Sequence, residues 1–213
     1  MNRFWDRFFY LFAFVAQGPS FLNPRAYALL HREHHAFADT ERDPHSPLFF
    51  GNAATMMWGT KQRYDDYAYR RASPEGRFEG GTPEWPLIDR LSQMWAVRIG
   101  LGSLYFLFYV CFAPSAVWFL LVPVHWLMGP IHGAIVNWCG HKYGYRNFAL
   151  RDASRNTLPV DFLTMGELFQ NNHHKHGARA NFAARWFEID PCYQVMRVLA
   201  WARVVRFEAE PSG

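Results

Sequence analysis

Three histidines stand at spacings i, i+3 and i+4 in His31-Arg-Glu-His34-His35. A helix puts those positions on one face, with Cβ atoms roughly 5–6 Å apart, so three imidazoles share one stripe and make half of a metal site. Gln170-Asn-Asn-His173-His174 repeats the device with glutamine in the first place, and Asn137 and His141 stand four apart in Asn137-Trp-Cys-Gly-His141. A lone histidine is usually surface or satisfied core, but clusters repeated at ligand spacing are a different matter. An all-imidazole set suits Zn, Cu, Ni or Fe. Three or four such ligands saturate one zinc. Six imidazoles with Asn137 and Gln170 are too many for one ion and point to two. His45 reads as a turn residue, and His176 falls off the stripe. His125 and His132, inside an apolar run, read as neutral imidazoles that each make an interhelical hydrogen bond. Cys111, Cys139 and Cys192 show no C-x-x-C pairing and read as buried small hydrophobes.

Helices have to carry these ligands. Asn23 is a good N-cap and Pro24 suits the first helical position, so the first cluster lies on a helix starting there. Thr164 and Glu167 match the capping-box pattern, which predicts that the second cluster's helix begins at Thr164. Residues 3–16, RFWDRFFYLFAFVA, are apolar and aromatic. Their charge-free part is too short to span a bilayer, which favours an interfacial helix within 1–22. The N-terminus lacks a small-residue cleavage site and reads as mature sequence. Residues 23–47 hold the first cluster and end in the turn chemistry of DTERDPHSP. Residues 60–90, with Pro74, Gly76, Gly80, Gly81, Pro83 and Pro86, read as a loop or lid of little regular structure. Lys61, Arg63, Arg70, Arg71 and Arg77 make that stretch basic.

The chain has 213 residues, of which 50% are hydrophobic, 18% aromatic and 19% charged, and its length fits one domain. Mean hydropathy is only −0.19, so the apolar residues are concentrated. From Ile99 to His141 there is no Lys, Arg, Asp or Glu, a run about twice the ~20 residues that cross a bilayer. It divides at Ala113-Pro114-Ser115 into 99–112 and 116–136, which predicts a transmembrane hairpin over 95–136. Arg98 precedes the run and Lys142 follows it, so the positive-inside tendency puts both arms in the cytoplasm. An even number of crossings leaves every histidine cluster on one side. Net charge is +4, but the basic residues are scattered beside acids (Arg42–Asp43, Asp89–Arg90). That pattern excludes nucleic acid as a partner and suits the anionic surface of a lipid bilayer. The expected fold is an all-α integral membrane protein: one transmembrane helical hairpin, interfacial helices, and a cytoplasmic helical cap carrying the histidine boxes, with 137–190 as the third-box region.

These motifs together resemble the membrane fatty acid desaturases of the acyl-CoA (stearoyl) type. The second histidine box of that family looks like His31-Arg-Glu-His34-His35 running into Asp39-Thr-x-x-Asp43-Pro44-His45-Ser-Pro. Its third box looks like Gln170-Asn-Asn-His173-His174, and Trp186-Phe-Glu-Ile-Asp190-Pro is similar to its closing motif. The resemblance implies a site of two iron ions (Fe2+), with His31, His34, His35, His141, His173 and His174 as ligands. Asn137 would hold a metal-bound water, and Gln170 stands where histidine is common. It implies O2-dependent removal of hydrogen from two adjacent methylenes, giving a cis double bond and water. The fatty acyl substrate would arrive on CoA, an acyl-carrier protein or a phospholipid, its anionic headgroup held by the basic stretch at Arg70 and Arg71. No His-Pro-Gly-Gly haem motif is present, so a separate electron-carrier protein is implied. No histidine precedes His31, so the family's first box and first hairpin have no counterpart in this sequence. The expectation is a domain over 1–213 that reads as N-terminally truncated, its true start upstream of Met1 and its activity as written in question. The rival readings are a di-iron membrane hydroxylase and a non-catalytic metal- or lipid-binding remnant.

Overall fold

The computed structural model describes residues 1–207; the last residues of the expected 1–213 domain lie outside the described residues. In chain order the helices are α1 (Arg3–Gln17), α2 (Pro24–Phe37), α3 (Ala53–Ala68), α4 (Pro86–Gln93), α5 (Trp95–Phe112), α6 (Val122–Trp126), α7 (Met128–Ala134), α8 (Gly140–Lys142), α9 (Gln170–Lys175) and α10 (Pro191–Trp201). A 3-10 stretch, Ala116–Leu121, leads into α6, and a π-helical turn, Ile135–Cys139, joins α7 to α8. Among the described residues the only β structure is three isolated bridges. The all-α expectation holds. The chain divides into two compact units: His31–Lys61 with the chain from Gly133 onward and the first two residues, and Arg3–Leu30 with Gln62–His132.

In the second of these units the core is aromatic. Tyr10 and Phe14 of α1 pack with Phe21 and Ile88, and Trp85, Leu91, Val97 and Leu101 close around them. The opposite side of α1 leaves Phe4, Phe8, Leu11, Phe12 and Val15 exposed, the amphipathic distribution expected of an interfacial helix. Asn23 caps α2 as predicted: its Oδ1 accepts from the Ala26 N–H at 2.9 Å. Its own N–H donates to Tyr64 Oη (2.7 Å) and its Nδ2 to Asp89 (2.7 Å), so the start of α2 is tied to α3 and α4.

Three expectations need correction here. Residues 60–90 are not loop throughout: α3 runs to Ala68 and α4 begins at Pro86, which leaves the irregular stretch between them. The prolines and glycines that signalled a loop are confined to 74–86, and Thr60-Lys-Gln-Arg-Tyr-Asp-Asp-Tyr before them carries no breaker. The second apolar stretch is not one helix. α5 is long and apolar enough to cross a membrane, but Ala116–Trp126 and Met128–Lys142 meet at 75°. Leu127 leaves the helical region (φ −118°, ψ 21°), and Pro130 has no N–H to continue the ladder across the break. The bend brings Gly129 so close to the Ser20 carbonyl that a Cβ would lie 2.9 Å from it. Nor are the cysteines all buried, since Cys111 and Cys192 are exposed. His125 does make the expected bond, to Tyr109 Oη at 3.2 Å.

Candidate metal centre

All six candidate imidazole ligands fall in the unit formed by 31–61 and the chain from Gly133 onward. The sequence puts His31, His34 and His35 on one stripe, but the structure divides them between two points. His31, His35 and His173 form one group, and His34, His141 and His174 form the other. Successive residues on a helix are turned ~100° apart, so each His-His pair serves both groups. In α2, His35 joins its neighbour one turn back, His31, while His34 turns away. In α9, His173 goes to the first group and His174 to the second.

The first group is a nearly equilateral triangle of Nε2 atoms: His35 to His31 3.1 Å, His35 to His173 2.8 Å and His173 to His31 3.2 Å. Three ring nitrogens aimed at a common centre make poor hydrogen bonds with one another, because each N–H points between its neighbours. Three cis donors about one ion at ~2.1 Å lie ~3 Å apart, and a tetrahedral set lies ~3.4 Å apart. The observed spacing fits a facial arrangement that leaves positions open on the ion's far side.

In the second group the three rings are 4.9–5.0 Å apart between centroids, and His34 Nε2 lies 3.1 Å from His174 Nε2. Each ring is backed by a carboxylate. His34 Nδ1 donates to Asp43 (2.9 Å to both oxygens), His141 Nδ1 to Asp39 Oδ2 (2.9 Å) and His174 Nδ1 to Asp152 Oδ2 (3.3 Å). A carboxylate on Nδ1 fixes the tautomer and leaves the Nε2 lone pair for a cation, as in carboxylate–histidine–metal triads. His141 Nε2 is buried and makes no hydrogen bond, so the atom aimed into the group has no protein partner. Both donor sets fit a metal ion.

Electrostatics agrees. Burial, then neighbouring imidazoles, lowers His35 to about 3; burial, with His174 and Arg32, lowers His31 to about 4. His173 is also lowered and His34 lies far below its ordinary value, both first by burial. At neutral pH these rings are uncharged and ready to bind. The metal-free fold should therefore lose stability in acid. Between the unfolded value near ~6.5 and the folded values, the unfolded chain binds more protons, so stability is held above that window and falls as pH drops through it. Thermal unfolding in chelator should show a melting temperature that drops from pH 7.5 to pH 5; a flat profile would contradict the buried neutral imidazoles.

Asp39, Asp43 and Asp152 stand behind the candidate ligands His141, His34 and His174, a placement that sequence reasoning missed. Asp39 and Asp43 also supply the turn chemistry that the sequence predicts: the Asp39 N–H donates to Asp43 Oδ2 at 2.8 Å. His45 does lie in that turn, yet it is buried with its ring 4.3 Å from His34. Gln170 is buried and donates from Nε2 to the Glu167 carbonyl (2.7 Å), and Asn137 sits on the π-helical turn, a distortion frequent at functional sites. Arg70 and Arg71 belong to the other unit and are already paired, with Glu84 (2.6 Å) and Asp66 (3.4 Å).

The third-box helix does not begin at Thr164. It begins at Gln170, because Met165 (φ 58°) and Gly166 (φ 99°) are left-handed, a region that ends helices. A Cβ at Gly166 would meet Asp190 Oδ1 at 2.5 Å. Asp161 organises the turn instead, accepting the N–H groups of Thr164, Gly166 and Leu168. Glu167 caps nothing there; burial and the charges of Asp190 and Asp161 raise its carboxyl to about 7.

A family model described as fatty acid desaturase matches residues 1–207. The Delta-9 desaturase-like 3 protein of Arabidopsis thaliana is 31% identical over 195 residues, 86% of this chain and 58% of its own length. The Delta-9 desaturase-like 5 protein of the same plant is 28% identical over 213 residues, 94% of this chain and 64% of its own. The sn-1 stearoyl-lipid 9-desaturase of Synechocystis is 28% identical over 175 residues, 80% of this chain and 51% of its own. The chain thus spans between half and two thirds of the length of these curated relatives. No solved structure matches.

Proposed function

Because the chain belongs to the fatty acid desaturase family, we propose that its two imidazole triads hold two iron ions for O2-dependent insertion of a cis double bond into a fatty acyl chain. The observation that carries this reading is the pair of triads itself, with the first triad's ring nitrogens 2.8–3.2 Å apart and the second's ligand atoms within 4.8 Å of one another. In the proposed reaction a –CH2–CH2– unit, O2, two electrons and two protons become –CH=CH– and two waters. When bound, the irons supply the O2 activation and hydrogen abstraction. The chain's own residues do the rest. Burial keeps His31 and His35 neutral, and Asp39, Asp43 and Asp152 hold the Nδ1 protons so that three Nε2 lone pairs converge. Asn137, through a water, and Gln170 are the proposed additional ligands.

The setting is proposed to be a bilayer, crossed by α5 and the bent segment after it, with the histidine boxes on the cytoplasmic face. A fatty acyl substrate, on CoA, an acyl-carrier protein or a phospholipid, and a separate electron carrier complete the system. At Arg70 and Arg71 an anionic headgroup has to compete with Glu84 and Asp66. Purified protein supplied with iron, acyl substrate and a reducing carrier should give a product lighter by two hydrogens in mass spectrometry. Gain of one oxygen instead would make it a hydroxylase. Less than one iron per chain after reconstitution would leave a non-catalytic lipid-binding protein.

A further inference from the structure

α9 has only the residues Gln170–Lys175, and Phe169 before it offers no side-chain cap. A helix this short does not hold itself in water. Yet it aims two adjacent imidazoles at two different points. Its anchors are the asparagines just ahead of them. Asn171 Oδ1 accepts from the N–H groups of Asn147 (2.9 Å) and Phe148 (2.8 Å). Asn172 Oδ1 accepts from Asn147 Nδ2 (2.8 Å) and Asn156 Nδ2 (2.9 Å), and its Nδ2 donates to the Phe182 carbonyl and to Glu188 Oε2, both at 2.9 Å.

Glu188 is 6% exposed and its carboxylate is saturated. Oε1 accepts from Tyr145 Oη (2.6 Å) and Asn147 Nδ2 (2.7 Å); Oε2 accepts from Asn172 and from the N–H groups of Ala184 (2.6 Å) and Arg185 (2.8 Å). Every partner but the Tyr145 hydroxyl can only donate, an arrangement that favours the ionised carboxylate. Burial opposes that charge, and the hydrogen bonds from Tyr145 and the backbone more than offset it, holding the group below its ordinary value. The same 182–190 segment lays the Phe182 ring over His173, 4.1 Å between centroids.

We propose that Glu188, acting through Asn172, is the positioning residue that aims His173 and His174 at separate metal points, so that one carboxylate outside both triads governs both. This rests on the reading of the triads as metal sites. Its signature is paired loss: tilting α9 disturbs both triads together, whereas a change behind a single imidazole disturbs one.

Chelator-stripped full-length protein titrated with Co(II) tests this, with d–d absorption read against far-UV circular dichroism. Wild type should take up two Co(II). Glu188→Gln places an NH2 against N–H donors and should weaken both sites ~10–100-fold, the range for lost supporting bonds, while helicity is retained. Asn172→Ala cuts the same link, leaves Glu188 its other donors, and should give the same paired loss. Arg197→Ala removes a bond to Gln194 on α10, outside this network, and should leave both affinities unchanged. Loss at one site only, unchanged affinities and bands in Glu188→Gln, or losses that merely track helicity in both variants would overturn the positioning role. Wild type that takes up no Co(II) is a separate failure, that of the metal reading.

Discussion

His35→Ala is expected to lower reconstituted iron from two per chain to one and to cut double-bond formation by more than ~100-fold, since removing even a supporting partner of a ligand costs 10–100-fold. The choice of His35 keeps the test clean. It lies inside α2, where alanine is the better helix former, and no carboxylate is left unpaired by its loss, as Asp43 would be if His34 were replaced. The first triad keeps only His31 and His173, while the second keeps all three imidazoles and all three aspartates. Metal analysis and product analysis should therefore separate: half the iron, almost none of the product. Imidazole added to the medium can enter the vacated position and should restore part of the iron. His132→Ala, outside both triads, should keep two irons. Two irons per chain in His35→Ala would show that His31, His35 and His173 do not bind as a unit.

What the sequence made legible is what depends on local spacing. The start of α2 follows from Asn23 and Pro24, both of which act where they stand, and the ligand types follow from the i, i+3, i+4 clusters. The division of those clusters into two triads does not follow. It depends on how α2, α8 and α9 meet, and a single stripe on α2 is compatible with either outcome. Thr164 and Glu167 misled because a capping box is only a pattern. The turn there is decided by Asp161, by the left-handed Met165 and Gly166, and by the close approach of Asp190, none of which the spacing reveals. The bend at Leu127 was hidden by hydropathy, which is insensitive to direction, although Pro123 and Pro130 were there to be weighed. The aspartates behind the second triad were missed for the opposite reason. Asp39 and Asp43 have a sufficient local role in their turn, and their bonds to His141 and His34 span chain distances that no pattern covers.

Asp39→Asn is expected to weaken binding at the second triad ~10–100-fold while leaving the first at wild-type affinity. Asp39 sits at φ 58°, a conformation costly for most residues but tolerated by asparagine. Asn therefore keeps the backbone and the size of the side chain and changes only the charge and one acceptor. Alanine would confound the result with strain. The atom that matters is Oδ2, which accepts from His141 Nδ1 at 2.9 Å and from the Ala153 N–H at 2.7 Å. Asparagine must leave one of those donors facing an NH2 or turn its amide away from Ser46, which donates to Oδ1. In each case the Nδ1 proton of His141 loses its carboxylate. The ring is then free to take the other tautomer, whose Nε2–H points into the triad where the lone pair is needed. Because Asp43 and Asp152 still orient His34 and His174, the site weakens rather than disappears, and excess metal should refill it. Competitive titration against a chelator of known strength reads both affinities in one experiment. Equal loss at both triads would mean that Asp39 acts on the fold as a whole, and no loss would mean that the carboxylate is not what holds His141 in its ligand form.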